Sequence, residues 1–307
     1  MLDNFLIVFC QVLTLFLLIA LGFIGGKKKI INDGGSKVLS DIVLIFVTPF
    51  VIIKSFQREF NLDELKKLLI CFGCAIAIHI VSIVMVHLIF RGKEESRKKV
   101  LRFATVFSNA GFMGLPLQEA VLGADGVFYG SVYVATFNIV VWTYGVLCMS
   151  GDKKYLSPKG LLFNPGIIGT TIGLLLFIFS IRVEGVLGNV MSTVASLNTP
   201  LPMIVIGFYL SQSKIIDALK DKSVYLVSIL RLFVIPLMAL GTLWLVGLRE
   251  TVLISLVIGA SAPTAAATTM FATKFGTDTE LSVNIVSFTT LLSIISMPLL
   301  VALAQSL

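Results

Sequence analysis

Two apolar stretches of this chain are interrupted in the same way, half a sequence apart, by residues that could hold a ligand. The first reads Ser108-Asn109-Ala110-Gly111-Phe112-Met113-Gly114-Leu115-Pro116, and the second Gly259-Ala260-Ser261-Ala262-Pro263-Thr264-Ala265-Ala266-Ala267. Pro116 cannot donate to the carbonyl four residues back, and its ring crowds that carbonyl. Gly111 and Gly114 remove side-chain obstacles to unwinding. At lipid depth such breaks are tolerated only where the freed backbone groups are buried in protein or line a cavity. A half-helix that begins there presents free amides and the positive end of its dipole, which together favour an anion such as a carboxylate. Asn109 adds a neutral side chain able to donate to a carboxylate oxygen, and Ser261 and Thr264 could do the same from the second break. Matched breaks in two halves point to a transporter's binding site. The alternative, two Pro/Gly kinks that serve only helix packing, stays open.

The elements that must position these residues follow from composition. Hydrophobic residues make up 57% of the 307 and charged residues 13%, with a mean hydropathy of +0.99. Soluble domains carry about 25% charged residues, so the chain reads as an all-α integral membrane protein. Its net charge of +7 is then a matter of topology and not a sign of nucleic-acid binding. Apolar runs near 5–26, 37–55, 65–90, 98–121, 126–149, 161–181, 188–211, 223–246, 251–273 and 280–305 give ten expected spans. Loops after the odd-numbered spans hold 17 Lys and Arg, the other loops 6. The positive-inside rule therefore places the odd loops in the cytoplasm and both termini outside. The expected location is the cell membrane, in a bacterium the inner membrane. Met1-Leu2-Asp3-Asn4 carries no positive charge, and Lys27-Lys28-Lys29 follows the first apolar run. That is the reverse of secretory order, so the first segment is expected to be retained.

An internal repeat is visible at an offset of 151–154 residues. Thr48-Pro49 returns as Thr199-Pro200, Ser108-Asn109-Ala110 as Ser261-Ala262-Pro263, Gly123-Ala124-Asp125 as Gly276-Thr277-Asp278, and Asp63-x-x-Lys66 as Asp217-x-x-Lys220. Residues 1–150 and 151–307 thus read as two five-span repeats of opposite orientation, with crossed, broken helices at spans 4 and 9.

Other polar residues admit two readings each. His79, mid-span 3, could carry a coupled proton, or could be a neutral ring bonded to a nearby carbonyl. Arg231, two turns into span 8, could balance an anion, but reads better as a snorkelling or structurally paired side chain. His87 and the run Arg91–Arg102 read as interfacial, lipid-headgroup and orientation signals. Asn284, Ser287, Thr289, Thr290 and Ser293 make span 10 unusually polar, as expected of a face packed on the crossing. The four cysteines, Cys71-x-x-Cys74 among them, read as small core residues, and no metal site is expected. No G-x-x-x-x-G-K-[ST] is present, and no nucleophile–base pair at lipid depth is evident. The chain is therefore expected to be neither an ATP-driven pump nor an enzyme.

Asn109-x-x-x-Met113-Gly114-x-Pro116-Leu117 resembles the helix-4 motif of the auxin efflux carrier family, which includes the plant PIN-formed proteins and many bacterial permeases. Asn138-Ile139-Val140-Val141-Trp142 is similar to the family's Gln-containing, Trp-ending stretch in helix 5. Ser108 stands where plant members have Pro, and Gly151–Lys159 replaces their long cytoplasmic loop. The resemblance implies a fold like that of the bile acid sodium symporters, with spans 1, 2, 6 and 7 as scaffold and spans 3–5 and 8–10 as transport domain, in a homodimer. It implies a small organic anion as substrate (malate, malonate or an auxin-like acid), contacted by Asn109, with Ala110, Gly111, Met113, Pro116, Asn138, Ser261, Pro263 and Thr264 around it. Asp63 and Lys67 would form an accessory polar site. Beyond the substrate and the lipid bilayer no cofactor is implied, with sodium or proton coupling left open. The competing reading is a membrane sensor that binds such a ligand without net transport.

Overall fold

A computed structural model describes residues 2–213 and 218–307. Among them the structure is helical, with one isolated antiparallel bridge and no strand. The described helices of nine residues or more are α1 (Leu2–Lys27), α2 (Asp33–Ser55), α3 (Leu62–Ile89), α4 (Glu95–Val106), α5 (Ala110–Ser150), α6 (Pro165–Ile178), α7 (Gly185–Gln212), α8 (Lys222–Leu245), α9 (Glu250–Ser261), α10 (Ala267–Phe275) and α11 (Thr279–Gln305). Seven of the described helices, α1, α2, α3, α5, α7, α8 and α11, are long and apolar enough to cross a bilayer. Four are shorter. At 1.5 Å per residue, the twelve residues of α4 and of α9 reach about 18 Å each, well short of the roughly 30 Å core. Expected spans 4 and 9 are thus split, while the end of span 4 and all of span 5 form the two parts of α5.

The join inside α5 is Gly123, at φ 62° and ψ −150°, a region essentially closed to residues with a Cβ. The helical path breaks at this glycine, and the parts before and after it lie against each other, a Cβ at Gly130 meeting the Gln118 side chain. Side-chain caps start the helices where the sequence offers them. Asn32, Asn61, Asn164, Asp221 and Asp278 each accept from an amide in the first turn.

Three prolines inside helices, Pro116 of the first interrupted stretch among them, do not break them. Pro49, Pro116 and Pro236 each follow a π-helical turn (Val43–Val47, Ala110–Gly114 and Leu230–Val234) by two residues. A proline ring clashes with the carbonyl four residues back, and in all three helices that carbonyl lies inside the widened turn, which moves it aside. The helices therefore continue through the prolines. The true break near Pro116 lies upstream, at Phe107–Asn109.

Packing organises around close helix pairs. The α1 helix runs along α7 with Gly22 facing Ile204 and Gly207 facing Ile19, so close that a Cβ at either glycine would meet backbone atoms of the other helix. The α1 helix also packs on α11, the second half of α2 packs on α6, and α9 is held between α5 and α11. One core cluster joins these layers through Val12, Leu15, Ile52, Phe128, Tyr133, Met203 and Leu256. A second, around Phe103, Phe107, Val224, Phe271 and Ile285, joins α4, α8, α10 and α11.

Arg97, expected as part of a lipid-facing basic run, is instead a cross-brace. Its guanidinium binds the Asp221 carboxylate and, at 3.3 Å, that of Asp278. Asp221 and Asp278 are the N-caps of α8 and α11, so one side chain of α4 ties both helix starts. Partial burial works to raise the Asp221 pKa. The bonds from Arg97 and the Ser223 amide outweigh it and hold the carboxyl below the usual carboxylate range. The repeat partner of Asp63, Asp217, lies outside the described residues.

Gly207→Val is expected to drive the branched side chain into α1 and destabilise the protein by about 1–3 kcal/mol or more, read as a lower melting temperature in detergent. Gly73→Ala, where a Cβ would meet nothing, should leave melting unchanged or slightly higher. A carboxyl with a depressed folded pKa stabilises the fold above its unfolded value near ~3.9, and that contribution is lost as pH falls through the folded value. Arg97→Gln should therefore lower stability at neutral pH and make the decline below about pH 4 shallower than in the natural protein, as followed by unfolding across a pH series.

Candidate functional site

The two interrupted stretches meet. At the end of α4 the chain turns extended at Phe107 (φ −97°, ψ 114°), and at the end of α9 it does so at Ala262 (φ −58°, ψ 146°). Pro263 imposes this on Ala262, because its ring disfavours the helical region for the residue before it. The extended segments then pair antiparallel through Ser108 and Thr264. The Asn109 amide donates to the Pro263 carbonyl at 2.7 Å, and the Ala265 amide donates to the Phe107 carbonyl at 2.9 Å. Backbone groups that lipid could never satisfy thus satisfy one another.

The surroundings complete that accounting. Thr264 donates its hydroxyl to the Ala104 carbonyl at 3.0 Å and its amide to the Thr289 hydroxyl at 3.2 Å. Arg231, fully buried, donates to the carbonyls of Thr105 and Val106 at 3.1 Å each and also to that of Ala260. Its expected snorkelling does not occur: the turn that carries it faces the crossing, and no solvent is in reach. Tyr133 lies beside Arg231 and Ser108, and the His79 ring centre is 5.3 Å from that of Tyr133. The His79 Nδ1 is 2.7 Å from the Ala75 carbonyl, so of its two expected roles the structure places it in a carbonyl bond. Its Nε2 is buried without a hydrogen-bond partner, as is the Ser108 hydroxyl.

Beyond the bridge each segment re-enters a helix. The Asn109 carbonyl accepts from the amides of Met113 (2.9 Å) and Gly114 (3.2 Å), so Ala110, Gly111 and Phe112 hold the first-turn positions whose amides have no partner inside a helix. The Asn109 side chain makes no hydrogen bond among the described residues and faces a small cavity. Ala266 of the second break, Ile206, Tyr209 and Leu210 of α7, and Val286, Ser287 and Thr290 of α11 complete its lining. The cavity, about 10 Å³, has room for about one water molecule. It sits between the crossing and α7, a helix that carries none of the residues expected at the site.

The remaining expected residues divide. Ala110, Met113 and Pro116 are buried and do not line the cavity, Gly111 is half-buried with open space where a side chain would stand, and Ser261 bonds the Ile258 carbonyl. Asn138 lies elsewhere: it donates to the Val134 carbonyl and accepts from Asn164, tying α5 to the start of α6. Asp63 pairs with Lys66 at 3.0 Å, while Lys67 is exposed. The polar cluster nearby is built on Arg58, which binds Asp125 at 2.8 Å and Glu64 at 3.4 Å and stacks on Phe128. Sequence reasoning missed the α7 contribution, for which Ile206, Tyr209 and Leu210 carry no chemical signal. The polarity of α11 was the signal for Ser287 and Thr290.

With this geometry in place, comparisons with known proteins agree on a class. A family model described as membrane transport protein matches residues 7–160 and 154–301. An uncharacterised transporter of Methanothermobacter thermautotrophicus is 24% identical over 292 residues, covering 94% of this chain and 95% of its own. An uncharacterised transporter of Methanocaldococcus jannaschii is 23% identical over 300 residues, covering 92% and 94%.

Thr289→Val keeps the side chain's shape but leaves the buried Thr264 amide without an acceptor. It should destabilise the protein by about 1–3 kcal/mol, whereas Thr14→Val, at an exposed hydroxyl bonded within its own helix, should have little effect. Thermal unfolding of both variants checks the difference.

Proposed function

The chain belongs to the membrane transport protein family, and from that premise we propose that it carries a small organic anion, held by a carboxylate beside Asn109. One observation carries this reading. An unpaired Asn109 side chain stands at a cavity between the crossing and α7, and the next residues, Ala110, Gly111 and Phe112, hold the first-turn positions whose amides have no partner inside the helix. Donors without acceptors, at the positive end of a helix dipole, suit an anion and repel a cation. Ser287 and Thr290 add hydroxyls for the remainder of the substrate.

In this reading the ten expected spans form two inverted five-span repeats, the kink at Gly123 dividing α5 into its two parts. The α1–α7 pair belongs to the scaffold, and the crossing rides in the transport domain. A cavity with room for one water is smaller than any organic acid, so the substrate enters only when α7 and the crossing move apart. That movement, by rocking or by an elevator-like slide, gives alternating access. Malonate and malate fit a site with one amide cluster and two hydroxyls.

The test is uptake of labelled malonate, malate and indole-3-acetate into proteoliposomes of the purified protein. A hydrogen bond to a charged group is worth about 1.5–3 kcal/mol, so Asn109→Ala should cut uptake of the transported acid by about 10- to 150-fold without lowering the melting temperature. Asn109→Asp, which sets a like charge against the carboxylate, should abolish it. Full uptake by Asn109→Ala would remove the site, and binding of an acid without flux would make the protein a sensor.

A further inference from the structure

Arg231 has no exposed surface, and no Asp or Glu pairs with it among the described residues. A guanidinium stays charged in any protein environment, and an unpaired charge at membrane depth is costly and calls for a function. Its partners identify one. Thr105 and Val106 are the last two residues of α4, and Ala260 is the last but one of α9. Their carbonyls are groups that a helix end leaves unbonded, and each helix end carries about half a negative charge. One guanidinium therefore meets two helix ends whose combined charge is about −1.

We infer that Arg231 is a fixed cation built into the crossing, a positioning residue that neutralises both helix C-termini and holds the two breaks in register, so that no metal cation is needed there. A monovalent metal ion would seek the same carbonyl oxygens, and the guanidinium already holds three of them. With the C-termini neutralised, the positive starts of α5 and α10 are left uncompensated. Their sum, about one positive charge, matches one carboxylate. That last step rests on the anion-carrier reading, while the fixed-cation role does not.

The experiment uses the purified full-length protein, without substrate, in sodium, potassium or choline chloride at equal ionic strength. The natural protein is expected to melt at the same temperature in all three. Arg231→Ala should melt lower and regain part of the loss on adding millimolar guanidinium chloride, which fits the space left by the side chain, but less with sodium chloride. Arg231→Lys should recover part of the stability and stay indifferent to the cation. Specific stabilisation of the natural protein by sodium would overturn the inference, as would an Arg231→Ala protein as stable as the natural one. If Arg231→Ala does not fold, the salt series on the natural protein and on Arg231→Lys still decides. Malonate uptake, if present, should persist with choline replacing sodium on both sides. An absence of any uptake would count against the anion-carrier reading and leave the melting results standing.

Discussion

Everything near the site depends on one exchange of backbone hydrogen bonds, Asn109 amide to Pro263 carbonyl and Ala265 amide to Phe107 carbonyl. A helix that ends at lipid depth leaves orphan carbonyls on one side and orphan amides on the other. Water is not there to meet them, and each unmet group costs several kcal/mol. A single broken helix would therefore be hard to tolerate. Two broken helices, laid antiparallel over two residues, satisfy each other's extended segments and leave only the helix ends to be dealt with. Arg231 takes the carbonyl ends, and Thr264 and Thr289 take what remains. What stays open is the amide end beside Asn109.

The prolines show why a break is not the default outcome of a helix-breaking residue. Pro49, Pro116 and Pro236 all sit two residues beyond a π-turn, and the helices run on. A π-turn widens the helix locally, so the carbonyl that the ring would strike is displaced and the chain loses few bonds. Pro263 has no such turn before it. Its predecessor Ala262 is extended, and a ready partner strand lies alongside. Whether a proline bends or breaks a helix is thus decided by whether a neighbour can receive the freed backbone, which is tertiary information.

That distinction explains what could be read from residues alone. The pairing of the two interrupted stretches was legible, because Pro, Gly, Asn and Ser/Thr recur at one offset and each has a mechanical meaning. The polar face of α11 was legible for the same reason. The position of the first break was not: Gly111, Gly114 and Pro116 advertise unwinding, but Phe107 to Asn109 unwind because their partner is there. For Arg231 snorkelling and structural pairing stayed open, because depth along a helix says nothing about which face a side chain leaves from; the structure gives the second. Asn138 matched a motif yet reaches Asn164 at the foot of α6, since motif spacing fixes the helix and not its neighbours. Gly123 read as the divide between two spans, and its φ and ψ break the helical path there.

The two halves are therefore alike in plan and unequal in chemistry. In the first, the residue after the bridge is Asn109, whose side chain stays unpaired and meets the cavity. In the second, the equivalent stretch spends its polar groups inward, Thr264 on Ala104 and Thr289, and meets the cavity only at Ala266. A symmetric pair of donors would hold both ends of a ligand equally and could not orient it. One polar start and one apolar start distinguish a charged end from the rest of the molecule, and the hydroxyls of Ser287 and Thr290 lie along the third side. The repeat supplies the crossing, and the departure from the repeat supplies its direction.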